Sequence, residues 1–207
     1  NRLVYIVVFV LLISGLSANM VLAEEAKGKD SSTSIGASQI NDRKSNYLVN
    51  MEFLTGLGLA KLRAKGNYRI TPLFVDFDFD LKPLIPKKFN VFPGLLQFVL
   101  EPFVSCVWQP DNNMEVGNNF LMKIGFLPQD MKFQPYFKGG LGLIYISQHT
   151  REQGTQFNFN EYAGIGAHYF FKENVALTVE YRYRHISNAS RKQPNSGIDT
   201  NFAICGV

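Results

Sequence analysis

From residue 46 onward, apolar and polar side chains alternate with a period of two, the repeat of a strand that shows a different environment to each face. Over 156–171 the odd positions are Phe157, Phe159, Ala163, Ile165, Ala167, Tyr169 and Phe171, and the even positions are Gln156, Asn158, Asn160, Tyr162, Gly164, Gly166 and His168. Over 132–147, Phe133, Pro135, Phe137, Leu141, Leu143 and Tyr145 share one face against Lys132, Gln134, Lys138, Gly140 and Gly142. Phe120, Met122, Ile124 and Phe126 repeat the pattern against Asn119, Lys123 and Gly125. The pattern predicts strands over 48–60, 67–81, 95–109, 116–127, 132–147, 156–171, 175–187 and 197–207. In the second of these the apolar positions change phase, from Ile70, Pro72 and Phe74 to Val75, Phe77, Phe79 and Leu81 against Asp76, Asp78 and Asp80. A bulge near Leu73–Val75 is the expected cause.

A soluble sandwich alternates in the same way. Glycines on the polar face suit the narrow lumen of a small barrel, and aromatics near strand ends suit membrane girdles. Composition moves in the same direction: 18 Phe and 9 Tyr accompany only 18% charged residues. The net charge of +4 is too mild for a nucleic-acid partner. Connections alternate as well. Lys65-Gly66, Asp111-Asn112-Asn113, Arg151–Gly154 and Arg191–Gly197 are polar tips, whereas Leu127–Met131 and Lys172–Val175 are tight. The link at 83–93 is longer and is expected to contain a helical turn.

The first residues sharpen this picture. Arg2 precedes an apolar run, and Val21-Leu22-Ala23 has the small-x-small form of a signal-peptidase site. The unbroken apolar core, about 14 residues, is shorter than the roughly 20 that span a bilayer. Residues 1–23 are therefore read as a secretory signal, 24–45 as a flexible polar leader and 46–207 as the barrel. The expected fold is an all-β, eight-stranded antiparallel transmembrane barrel of a Gram-negative outer membrane, with short inner turns and longer outer loops. Cys106 and Cys205 fall three strands apart, roughly 14 Å at about 4.8 Å per strand, beyond disulfide reach, and are read as two free thiols on packed surface. The Asp76/Asp78/Asp80 series is read as a solvated face or as interior partners for Lys and Arg rather than as a metal site, and no cofactor is expected.

The strand over 175–187 carries the chemistry. Its odd positions continue the lipid-facing surface and end in His185 and Ser187, while its even positions send Glu180, Arg182 and Arg184 inward. Spacing i, i+2 puts the two Cα atoms roughly 6.6 Å apart on one face, close enough for an imidazole to serve a hydroxyl as base. Asp199, across the hairpin, is the candidate to orient that imidazole. The same residues also fit a bland reading, with His185 beside an aromatic belt, Ser187 entering a loop and Asn188 forming a turn. His149 and His168 take the bland reading. Parity places a complication on Asp199: if Phe202 and Ile204 face lipid, Asp199 points inward unless a bulge near Ile198 restores it. Glu161 interrupts the apolar face of its strand near the membrane rim.

His185-Ile186-Ser187-Asn188-Ala189 followed by Lys192-Gln193-Pro194-Asn195-Ser196-Gly197-Ile198-Asp199 resembles the active-site hairpin of the lipid A 3-O-deacylase (PagL) family and its acyloxyacyl hydrolase-annotated relatives, and Glu180–Arg184 upstream fits too. The resemblance implies a serine esterase that removes an ester-linked 3-hydroxyacyl chain from lipid A. His185 would be general base, Ser187 nucleophile and Asp199 the orienting acid. Asn195 would donate to the oxyanion, and Asn188 would shape that hole or hold the loop. Well-studied members carry Glu where this chain has the shorter Asp199. The implied partners are lipid A in lipopolysaccharide and the outer membrane, with oligomeric state open, a homodimer included. An outer-membrane phospholipase, a non-enzymatic barrel and a soluble sandwich are the competing readings.

Overall fold

The computed structural model describes residues 47–86 and 93–207. The expected signal over 1–23 and leader over 24–45 lie outside the described residues. Eight antiparallel strands form one closed barrel in chain order: β1 (Leu48–Leu62), β2 (Gly66–Asp80), β3 (Leu96–Gln109), β4 (Asn113–Gly125), β5 (Phe133–Ile146), β6 (Phe157–Lys172), β7 (Val175–Ser187) and β8 (Ile198–Gly206). Closure comes from β1 pairing with β8, Leu54 opposite Gly206 through Ala60 opposite Thr200, so neither strand is left with a free edge. Each strand has the 9–16 residues that the ranges above give it, enough to cross a hydrocarbon layer when tilted. The connection after β2 opens with a 3-10 turn at Lys82–Leu84, set by Pro83 near its start.

The outer wall is apolar. Phe53, Leu59, Leu73, Phe120, Phe137, Leu141, Ile165, Val179 and Tyr181 are all exposed on it. The interior is filled rather than hollow. At one level an apolar layer of Tyr68, Ile70, Phe74, Phe103, Tyr162 and Phe202 packs across the lumen. Phe74 meets Phe103 at 5.6 Å and Phe202 at 6.2 Å between ring centroids. Next to this layer lies a network of buried charges. Lys123 Nζ reaches Asp78 at 2.6 Å and pairs with Glu52. Lys138 pairs with Asp76, Glu101 and Glu180. The Arg182 guanidinium binds Glu101 and lies 4.8 Å over the Phe74 ring. Arg184 makes a two-pronged contact with Glu115, at 2.7 and 3.1 Å, and Tyr68 donates to the same carboxylate. Burying an isolated charge is costly, so these groups occur as mutually paired sets. Glycine serves the narrow bore: a Cβ on Gly142 would stand 2.2 Å from Asn119 Oδ1 and 2.4 Å from Asn160 Oδ1.

Three expectations are corrected. No bulge interrupts β2 at Leu73–Val75, where the register runs evenly against both neighbours: Leu73, Phe74 and Val75 face Thr55, Leu54 and Phe53, and Phe74 to Phe77 keeps step with Phe103 to Leu100. Even positions point inward along the whole strand. What changes is the inner face itself, from Tyr68, Ile70 and Phe74 in the apolar layer to Asp76 and Asp78 in the charge network. Phe202 and Ile204 likewise face inward, into the apolar layer, so Asp199 faces outward with no bulge near Ile198. Cys106 and Cys205 are free, as expected, but exposed on the lipid-facing wall rather than packed.

Candidate active site at the β7–β8 hairpin

Alternation along β7 does the first part of the positioning. Thr178, Glu180, Arg182, Arg184 and Ile186 are buried in the lumen, which turns Tyr181, Tyr183, His185 and Ser187 outward. Register does the second part. His185 stands directly opposite Asp199 on β8 and opposite Glu161 on β6, so three titratable groups form one row across three strands. Glu161, unexplained by its own strand, thus flanks the imidazole.

His185 Nδ1 meets Asp199 Oδ1 at 2.6 Å, so the shorter acid closes the distance without help from the backbone. Tyr183 Oη donates to the same carboxylate oxygen at 2.7 Å, fixing it from the row below. With Nδ1 held on a carboxylate, the proton belongs on Nδ1, and Nε2 is left as the basic nitrogen. The His185 side chain is 35% exposed and that of Asp199 59% exposed, so the pair sits on the open wall of the barrel and not in a cleft. Ser187 lies two residues beyond His185 on the same face, half-buried. Its hydroxyl has no hydrogen bond to His185 or to any other described residue. The Ser187 hydroxyl and the His185 imidazole are brought to one face but not into hydrogen-bonding contact.

The loop from Asn188 to Gly197 supplies the remaining groups. Asn188 is completely buried, and its side-chain amide donates to Lys192 O at 2.7 Å and Pro194 O at 3.3 Å. Asn188 therefore holds the loop, the second of the two roles expected for it. Its backbone N–H donates to Asn195 Oδ1 at 2.8 Å, which anchors the Asn195 carbonyl and leaves the Asn195 NH₂ without an internal acceptor. Ala189 and Ser190 adopt left-handed backbone angles, φ 53° and 59°, uncommon for residues with a Cβ and a mark of a tightly held loop. Gly197 has φ 78°, and a Cβ there would come within 2.5 Å of His185 Cε1. Glycine is required at this position both by its backbone angle and by the imidazole beside it.

A second loop holds the first. Between β5 and β6, Gln153 forms a β-bridge with Asn195 and donates its side-chain amide to Ile186 O at 3.0 Å. Ser196 N–H donates to Glu152 O at 2.8 Å, and Gly154 N–H to Pro194 O at 2.6 Å. The Glu152 carboxylate in turn accepts the Arg63 backbone N–H at 2.6 Å. Glu152, Gln153, Arg63 and Tyr183 are the site-forming residues that sequence reasoning missed. For Tyr183 a signal was present, since it shares the outward parity of His185. For the loop contacts there was none. His168 is buried in the lumen, with Nδ1 2.9 Å from Thr178 Oγ1, and His149 is exposed in a loop, so neither belongs to the row.

A sequence profile of the lipid A 3-O-deacylase (PagL) family matches residues 99–207, from β3 through the hairpin to β8. No curated protein matches the chain. Among solved structures, a crystal structure of the outer-membrane enzyme PagL superimposes with a TM-score of 0.58, covering 74% of this chain and 98% of that one at 18% identity. At that identity the likeness shows the fold, a closed eight-stranded β-barrel. The profile covers more than half of the chain and includes every residue of the His185–Asp199 row, and on that ground the chain belongs to the lipid A 3-O-deacylase (PagL) family, as an ester hydrolase of the outer membrane that acts on lipid A.

Proposed function

We propose that the chain is a serine esterase in which Ser187, His185 and Asp199 act as a triad and Asn195 donates to the oxyanion. The observation that carries this reading is the 2.6 Å contact between His185 and Asp199 beside an outward-facing Ser187. Asp199 keeps the imidazole in the tautomer whose Nε2 can accept a proton. Ser187 Oγ attacks the carbonyl carbon of an acyl ester while Nε2 takes the hydroxyl proton. The tetrahedral oxyanion is stabilised by the spare NH₂ of Asn195, a donor already fixed through Asn188 and therefore needing no reorganisation. Collapse expels the sugar alkoxide, which recovers the proton from the imidazolium. Water then attacks the acyl-serine, with His185 again as base, and frees the fatty acid. No metal and no cofactor enters any step.

Location sets the substrate class. The row opens onto the same wall as Phe137, Ile165, Val179 and Tyr181, a surface suited to acyl chains. The ester cleaved is that of a 3-hydroxyacyl chain on lipid A, presented from the outer leaflet. The signal read over residues 1–23 provides the route of export.

Mass spectrometry of lipid A from cells expressing the protein tests this. The wild-type chain is expected to release a 3-hydroxy fatty acid, and Ser187→Ala to lower turnover by about 10³-fold or more while the barrel still migrates in its heat-modifiable form. Persistent deacylation by the alanine variant would remove Ser187 from the mechanism, and lysophospholipid as the product would make the protein a phospholipase.

A further inference from the structure

Charge is distributed unequally on the two sides of the His185 row. On the β6 side stands Glu161, at the level of His185 itself. On the β8 side the next strand is β1, and the register that pairs Ala60 with Thr200 carries Lys61 to the level of Asp199. Lys61 pairs in turn with Asn67 on β2, and one outward position deeper Leu59 pairs with Arg69. Lys61 and Arg69 are both exposed and outward-facing, and neither side chain has a hydrogen bond or ion pair to a described residue. Above them, Arg63 directs Nη1 to Ser196 Oγ at 3.3 Å, beside the oxyanion donor Asn195.

Cations on a lipid-facing wall are penalised the deeper they sit, and Arg69 lies one outward position further from the loops than Lys61. Of the other cations at this end of the barrel, Arg151 and Lys192 lie on the loops beyond the strands, and Lys65 and Arg191 have partners. Lys65 is paired with Asp111 at 2.7 Å, and Arg191 stacks 4.7 Å over the Phe159 ring. Lys61 and Arg69 differ from these in facing the wall beside the site with nothing to bind. Lys61 is two strands from His185, about 10 Å at the spacing of a sheet.

We propose that Lys61 and Arg69, with Arg63 above them, form an anion subsite that takes a phosphate on the sugar headgroup of the lipid substrate. The headgroup then lies across β8 toward β1 and β2, and Glu161 disfavours the reversed placement by repulsion. This rests on the serine-esterase reading, because the subsite is defined relative to His185 and Ser187. A phosphate oxygen accepts charge-assisted hydrogen bonds from the ammonium and the guanidinium, and these hold the substrate equally in the ground and transition states. The subsite therefore acts on KM rather than kcat.

The test is steady-state kinetics in detergent micelles on phosphorylated lipid A and on the same lipid after removal of its phosphates. For Lys61→Ala/Arg69→Ala, KM on the phosphorylated lipid is expected to rise about tenfold, with kcat within about twofold of wild type. On the dephosphorylated lipid the variant and the wild type should have the same KM, and Lys61→Arg/Arg69→Lys should restore binding of the phosphorylated one. A KM that is unchanged, or that rises equally on both lipids as general surface anchoring would make it do, overturns the subsite. Ser187→Ala assayed in parallel separates this from the parent reading: turnover retained there overturns the serine mechanism, while its loss beside an unchanged KM in the double variant overturns the subsite alone.

Discussion

Arg182 and Arg184 on the inner face of β7 alternate with Tyr183 and His185 on the outer face, yet the two sets are used in opposite ways. Every inner charge of β7 is bound to another inner charge. Arg184 is held by Glu115 through two nitrogens, and Arg182 by Glu101 and Glu180. Single atoms such as Arg182 Nη2 and Arg184 Nε make no hydrogen bond, but these charges are buried in ion pairs and none is open to a substrate. On the outer face the groups are exposed or half-buried. Asp199 is shared by His185 and Tyr183, but the Ser187 hydroxyl and the Asn195 NH₂ have no internal partner. A buried, mutually paired network holds a fold together, whereas an accessible row with two unused groups can hold a reaction. In this strand the two differ only by which side of the sheet the side chain takes.

The largest effect that would break this comparison is expected at Asp199. Asp199→Asn keeps the shape of the side chain but removes its charge and favours the wrong imidazole tautomer, and kcat should fall by about 10²–10⁴-fold while the barrel folds normally. Initial rates on micellar lipid A check it, and a variant that kept a large part of its turnover would show that the imidazole works without the carboxylate. On the inner face the reverse is expected. Arg184→Met strands Glu115 as an unpaired buried charge and should lower stability by about 3–5 kcal/mol, with kcat per folded molecule little changed. Denaturant unfolding in detergent, read beside activity, measures both quantities; a large loss of kcat in well-folded protein would mean that the two faces are coupled. The smallest effect belongs to Tyr183→Phe. It deletes one hydrogen bond to an exposed carboxylate, and kcat should drop by about three- to tenfold with no change in the unfolding midpoint. Full activity in that variant would return Tyr183 to the aromatic wall.

Much of the fold was legible because the sheet repeat is short and the outer wall is uniform. Phe120, Met122 and Ile124, or Tyr181 and Tyr183, report their face without knowledge of any partner. The inner face was harder. In a small barrel the lumen is itself layered, so Tyr68, Ile70, Phe74 and Phe202 are apolar and interior, and a rule that sends apolar residues outward misplaces them. That single confusion produced both the bulge expected in β2 and the inward Asp199, and the register of β7 against β8 removes it. Within the site, His185, Ser187 and Asp199 could be named because one hairpin carries them. Glu152 could not, since its contact with Arg63 joins loops 89 positions apart, a relation no local pattern encodes.

The packed lumen has a kinetic corollary. With Phe74, Arg182 and Tyr162 filling the bore, the barrel offers no passage, and both the molecule to be cut and the fragments produced must arrive and depart sideways along the wall. Encounter is then a two-dimensional search. The rate should follow the mole fraction of target lipid in its own leaflet rather than any bulk concentration, so diluting that leaflet with inert lipid slows the enzyme even when the total amount of substrate is unchanged.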